Sequence, residues 1–190
     1  MNIVGFSASP RSTGSTAWVV ETLLAGAQTS GAQTRSWSSA NLSLQPCRAC
    51  FACRAKDRTC VLQDDMPPVH ASILDSQALV VGMPIFMGQM SAQAKIFVDR
   101  LHALFAPRFS PTFQERNAGK GLVLAFIQGN PDPELFGTYI DYTVQLFRTL
   151  EFLVREPLVV TGTRAGHARE QPGLEERLST IGADLAVRAP

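Results

Sequence analysis

The 190-residue chain carries 17 Lys and Arg against 16 Asp and Glu, a formal net charge of +1, with charged residues at only 17%. So weak a field cannot neutralise a nucleic-acid backbone, which argues against DNA or RNA as a partner. The length suits one domain, 1–190, able to bury roughly 70% of the surface its unfolded chain exposes.

Met1-Asn-Ile-Val-Gly-Phe6 has no basic start, apolar h-region or cleavage pattern, so it reads as the beginning of a strand, Ile3 to Ser7. No export signal means a reducing, cytoplasmic setting is expected. After a loop rich in Ser and Thr, Ala17, Val20, Leu24 and Ala27 recur at helical spacing up to Gly31. A weak strand over Thr34–Trp37 leads into a cysteine-bearing loop. Asp64 is placed to cap a second helix reaching Leu74, with Pro67 in its first turn. Ala78-Leu-Val-Val-Gly82 is a continuous apolar run of the kind a parallel sheet buries on both faces. The long uncharged stretch Ser76–Ala94 is interrupted by Gly82, Pro84, Gly88, Gln89 and Ser91, so no membrane span is expected.

Ser91 can cap a third helix with apolar positions Ala94, Phe97, Val98, Leu101, Leu104 and Phe105. Residues 106–118 read as an irregular excursion. Leu122–Ile127 is a fourth strand, followed by the turn Gln128-Gly-Asn-Pro131. Leu135, Tyr139, Tyr142, Leu146 and Leu150 predict a fourth helix, Leu153–Val160 a fifth strand, and Leu174, Leu178, Ile181 and Leu185 a last helix. Strands alternating with helices imply a parallel sheet covered on both faces by right-handed crossovers, a three-layer α/β sandwich. Ligands bind such sheets beyond the carboxyl ends of the strands, at the topological switch point.

Three loops on that edge carry chemistry. In the first, Ser7, Ser9, Ser12, Thr13, Ser15 and Thr16 offer hydroxyls, Gly14 is expected to let the backbone turn, and the helix start adds its positive dipole end. The spacing is neither G-x-G-x-x-G nor a P-loop, which favours a single monophosphate over a pyrophosphate. The second, Met83-Pro-Ile-Phe-Met-Gly-Gln-Met-Ser91, is apolar at a place that should meet solvent, and suits a flat aromatic ligand packed by Phe86 and Met87. The third, Gln128-Gly129-Asn130, is small and polar and can approach ring heteroatoms.

All four cysteines fall between Pro46 and Asp64, spaced C-x2-C-x2-C-x6-C. Cys47, Cys50, Cys53 and Cys60 resemble the way a 4Fe–4S cube is grasped, one iron per thiolate. Structural zinc more often uses two separated C-x2-C knuckles. Arg48, Arg54, Lys56 and Arg58 either offset a negative cluster or form a solvated face. His70, His102 and His167 have no mutual spacing and are expected on the surface or on helix faces. Lys95 and Asp99 are expected to pair at i, i+4, Asp64 and Asp65 to start a helix, and Trp18 and Trp37 to pack.

Ser7-Ala-Ser-Pro-Arg-Ser-x-Gly-x-Thr16, the cysteine run ending in Asp-Asp-Met66, Met83-Pro-Ile-Phe-x-Gly-x-Met-Ser91 with Lys95 and Asp99-Arg100, and Gln128-Gly-Asn-Pro-Asp132 together resemble the flavodoxin-like NAD(P)H-dependent FMN reductases, especially the iron-sulfur flavoproteins. The resemblance implies a five-stranded parallel sheet in the order 2-1-3-4-5, FMN as cofactor and NAD(P)H as electron donor. It also implies a homodimer or homotetramer. The implied phosphate site is Ser7, Ser9, Arg11, Ser12, Thr13, Gly14, Ser15 and Thr16. The implied ring site is Pro84, Ile85, Phe86, Met87 and Gly88 on one side and Gln128, Gly129 and Asn130 on the other. Phe86 departs from the tyrosine frequent in the family, losing a hydroxyl but keeping aromatic area. The cysteines are implied ligands of a 4Fe–4S cluster or, as in iron-free relatives, ordinary thiols. Two functions follow. One is an oxidoreductase passing electrons from NAD(P)H through FMN to a quinone, flavin, aromatic or metal acceptor, with binders rather than catalytic side chains. The alternative is an iron-sulfur flavoprotein carrying electrons between protein partners.

Overall fold

The computed structural model describes residues 1–54, 59–104, 117, 119–155 and 157–188. Its sheet is built on β1 (Asn2–Ser7), β2 (Gln33–Ser38), β3 (Ala78–Phe86), β4 (Gln89–Met90), β5 (Gly121–Ile127), β6 (Leu153–Val154) and β7 (Leu158–Val160). The path runs β2-β1-β3-β5-β6, with β7 also on β5 and every pairing parallel except the short antiparallel β3–β4 hairpin. The expected fifth strand is therefore split in two. Pro157 explains the break, since it has no N–H to give to a continuous ladder. Counting β6 and β7 as one strand and setting β4 aside gives the flavodoxin-like order 2-1-3-4-5.

Alternation along the central strands sorts their side chains between two cores. Val4, Phe6, Leu79, Val81, Met83, Leu122, Leu124 and Phe126 face one side. There they meet α2 (Met66–Asp75), α3 (Ala92–Arg100) and α4 (Gly137–Thr149). Ile3, Ala78, Val80, Val123, Ala125 and Ile127 face the other, against α1 (Ser15–Thr29) and α5 (Leu174–Arg188). On that side the two helix backbones touch. A Cβ on Gly26 would strike the Ser179 carbonyl and one on Gly182 the Leu23 carbonyl, so only glycine fits at either position.

Several local expectations need correction. β3 does not stop at Gly82 but continues to Phe86, because Ile85 and Phe86 pair back onto Met90 and Gln89. Met87 (φ 50°) and Gly88 (φ 77°) make the turn between them. In α4 the buried stripe is Tyr139, Ile140, Thr143, Val144 and Phe147, while Leu135 precedes the helix and Tyr142 is 71% exposed. Thr143 tolerates burial because its hydroxyl donates to the Tyr139 carbonyl at 2.8 Å. Ser91 caps α3 as expected, its Oγ accepting the Ala94 N–H at 3.1 Å. Phe105 lies outside the described residues, as does the stretch 106–118 apart from Asn117, a buried residue whose amide donates to the carbonyls of Leu104 and Leu150.

Candidate functional site

Strand register brings the three loops together. Ser7 stands beside Gly82, and Pro84 beside Ile127, so the loops after β1, β3 and β5 open from neighbouring strand ends. The order reverses between β1 and β3, which puts the crevice there.

The first loop is fixed by its backbone. The Ala8 N–H donates to Gly82 O at 2.8 Å, Ser39 Oγ donates to the carbonyls of Ser7 and Ser9, and Ser91 Oγ donates to Ala8 O at 2.8 Å. Pro10, Arg11, Ser12 and Thr13 are exposed, whereas Ser7, Ser9, Gly14, Ser15 and Thr16 are buried. Gly14 is the N-cap of α1 and gives it no side-chain cap; no acidic residue stands in the first turn. The first-turn N–H groups and the positive end of the helix dipole thus face the loop. Ser7 Oγ is buried without a hydrogen-bond partner, a state that costs roughly 1 to 3 kcal/mol unless a ligand meets it. Two hydroxyls are already committed: Ser9 Oγ accepts the Arg11 N–H, and Ser15 Oγ accepts the Ala168 N–H at 3.1 Å. Gly14 has φ −83° and ψ 173°, open to any residue, so the expected turning role is corrected. What its missing side chain provides is clear space at the mouth of α1.

On the second loop Pro84 and Ile85 are buried, whereas Phe86 is 43% exposed and Met87 fully so. Phe86 is therefore not a core residue; it offers a ring face at the crevice rim. In the third loop Gln128 is buried, its amide nitrogen donating to the carbonyls of Asn130 (3.2 Å) and Asp132 (2.5 Å). Gln128 thus shapes the loop. Gly129 and Asn130 are its accessible members.

The cysteine loop hangs beyond β2. All four thiols line one pocket of about 280 Å³ together with Phe51, Asp99 and His102. Cys47 and Cys50 are exposed, Cys53 and Cys60 half-buried, and none is in a disulfide. Burial pushes the Cys53 thiol up, and the neighbouring Cys60, Cys47 and Cys50 add to it, as crowding by like charges requires. Ala49 (φ 50°) and Phe51 (φ 54°) sit in left-handed conformations that fold the C-x2-C-x2-C run back on itself. Among the described residues no three His, Cys, Asp or Glu converge on a single metal ion.

Residues 1–165 match the NADPH-dependent FMN reductase family. The chain belongs to that family. That family is described by its NADPH-dependent reduction and by FMN. The chain is 34% identical over 100 residues to an iron-sulfur flavoprotein of Methanosarcina thermophila, covering 53% of this chain and 52% of the relative, about half its length. An iron-sulfur flavoprotein of Methanocaldococcus jannaschii is 29% identical over 160 residues, 84% of this chain and 76% of the relative. The fold is shared with an NAD(P)H:quinone oxidoreductase from Methanothermobacter marburgensis, at TM-score 0.75 and 16% identity over 97% of this chain and 96% of the other.

Within this FMN reductase family member, polar side chains fall where sequence reasoning did not put them. His70, expected on the surface or on a helix face, lies on α2 but is 1% exposed with neither ring nitrogen partnered; burial, then the Arg100 charge, lower its pKa to about 4. His102 is part of the cysteine pocket, Nδ1 at 3.8 Å from Cys53 Sγ and Nε2 at 3.0 Å from Arg54. His167 begins a short 3-10 turn, Nδ1 accepting the Arg169 N–H. Asp65, not Asp64, is the N-cap of α2, and it makes no side-chain cap bond. Asp64 Oδ1 accepts the Met66 N–H, but the same carboxylate also meets Arg100 in a fully buried ion pair. The Lys95–Asp99 pair forms at 2.6 Å, and Trp18 and Trp37 pack against opposite cores, as expected. Arg54 lies over the Phe51 ring and Arg48 bonds Gln45; Lys56 and Arg58 lie outside the described residues. Among the described residues no helix is long and apolar enough to cross a membrane.

Proposed function

We propose that the protein takes hydride from NAD(P)H onto FMN and passes the electrons to a quinone, flavin, aromatic or metal acceptor. The carrying observation is the buried, unpartnered Ser7 hydroxyl beside the uncapped start of α1, at the β1–β3 switch point. Ser7, Ser9, Ser12, Thr13 and Thr16 with the first-turn N–H groups would hold the phosphate, and exposed Arg11 would screen it. Phe86 and Met87, carried on buried Pro84 and Ile85 and turned at Gly88, would cover one side of the ring. Gly129 and Asn130, held in place by Gln128, would approach its edge. Bound FMN supplies the hydride-accepting atom, and the chain's work is to fix that atom within roughly 3 to 3.5 Å of the donor carbon.

The resemblance to the FMN reductases supports a homodimer or homotetramer that completes the ring site. A second role, electron transfer between protein partners, is favoured by the four thiols around one pocket, with Cys47, Cys50, Cys53 and Cys60 holding a 4Fe–4S cluster. Stopped-flow mixing with NADPH separates the two. Rapid bleaching of the flavin absorbance supports the reductase; a flavin reduced only by a redox protein supports the carrier. An anaerobic spectrum with iron and sulfide assay tests the cluster.

A further inference from the structure

The cysteine loop is long and largely exposed, yet its two ends are fastened together. The Asp65 N–H donates to Ser43 O at 3.2 Å, Asp65 Oδ2 accepts the Ser43 N–H at 2.7 Å, and Asp64 Oδ2 accepts the Gln45 N–H at 2.8 Å. Gln45 Nε2 adds a bond to Gln63 O at 3.2 Å. One cation closes this seam. Arg100 Nη1 donates to Gln45 O (2.8 Å) and to Asp64 Oδ2 (2.5 Å), while Nη2 donates to Asp64 Oδ1 (3.0 Å). Gln45 stands two residues before Cys47, and Asp64 four residues after Cys60.

The side chains of Arg100 and Asp64 are 0% and 2% exposed, so this fork is screened little by solvent. Its helix has a second attachment. α3 starts at Ser91, whose hydroxyl holds Ala8 O of the first loop, and ends at Arg100, which holds the cysteine loop. A nine-residue helix spans about 13 Å. It therefore sets a fixed distance between the two loops.

We infer that Arg100 is a positioning residue for the cysteine site: its guanidinium, clamped on Gln45 O and Asp64, closes the loop at its base so that the four thiols border one pocket before any iron arrives. A carboxylate alone could not do this, because Asp64 reaches the backbone of Gln45 but not its carbonyl. Nor could lysine, which lacks the planar fork that grips Asp64 with two nitrogens and Gln45 with one. The clamp itself stands on the apoprotein's geometry; its purpose in iron uptake rests on the cluster reading above.

The test uses the FMN-loaded, iron-free protein and two conservative variants, Asp64→Asn and Arg100→Lys, with Gly182→Ala as a variant destabilised elsewhere. Dithionitrobenzoate labelling of the half-buried Cys53 and Cys60 should run about tenfold faster in both clamp variants, the effect of losing one charge-assisted hydrogen bond from the closed state. FMN affinity should stay at the parent's value in both clamp variants, and Gly182→Ala, which is expected to bind FMN more weakly and is therefore kept saturated with it, should label at the parent's rate. Anaerobic reconstitution with ferrous iron and sulfide should then load the clamp variants to less than half the parent's iron. Parent-like labelling in both clamp variants overturns the clamp. Faster labelling with no iron bound even by the parent sustains the clamp and removes the cluster reading instead.

Discussion

The phosphate loop and the cysteine loop leave the same edge of one sheet, after β1 and β2, yet they are held in opposite ways. The first is short, and its hydrogen bonds run through backbone groups of Ser7, Ala8 and Ser9 to three different elements. The second is long, is fastened at its base by a hydrogen-bonded seam and one buried ion pair, and meets the body again at His102. A loop tied through Ser7, Ala8 and Ser9 presents fixed N–H groups and suits an anion of one shape. A loop fastened at its base leaves Cys47 and Cys50 open to solvent.

The sharpest way to break the contrast is to remove the clamp outright. Arg100→Met leaves Asp64 buried without its cation and should cost about 3 to 5 kcal/mol in urea unfolding. If the structure still forms, FMN affinity should be unchanged.

Acid should act on the same side of the molecule. The buried His70 is neutral when folded, its pKa depressed to about 4 from 6.5. The unfolded chain binds the proton first, so this contribution is complete above pH 6.5 and is lost as pH falls toward 4. The loss amounts to at most about 3 kcal/mol. His70→Leu should flatten stability over that interval. Asp64 adds a further loss at lower pH: burial alone would raise its pKa, but the bonds from Arg100, Gln45 and Met66 outweigh that and hold it below the ordinary carboxylate value.

On the opposite face, Gly182→Ala pushes α1 and α5 apart and should cost about 1 to 3 kcal/mol, with loss of FMN affinity because α1 carries the phosphate site. Unchanged FMN binding in that variant would mean the loop is independent of its helix. Smallest is Ser91→Ala, which removes a helix cap and the bond to Ala8 O. About 1 to 2 kcal/mol of thermal stability should go.

Much of the fold was legible because the strands are apolar runs and four of the five helices keep a regular stripe. α4 misled because a threonine that satisfies its own hydroxyl can be buried where pattern reading expects a tyrosine. The first loop was legible as a local run of Ser and Thr between β1 and α1. The clamp was not. Arg100, Asp64 and Gln45 meet only through tertiary folding, and their separation of 36 and 55 residues leaves no periodic trace. His102 escaped for the same reason, meeting Cys53 across 49 residues. Gly26 and Gly182 look like weak helix positions until two backbones are seen to touch.

The central claim, that the loop after β1 holds the FMN phosphate, is tested most directly by fluorescence titration of FMN into the parent and Gly14→Val. The backbone angles at Gly14 suit valine, and the atoms nearest a Cβ there belong to the flexible Arg11 side chain, so the variant should fold. A branched side chain at the mouth of α1 should then weaken FMN by tenfold or more, about 1.4 kcal/mol. Parent-like affinity in Gly14→Val would contradict the assignment.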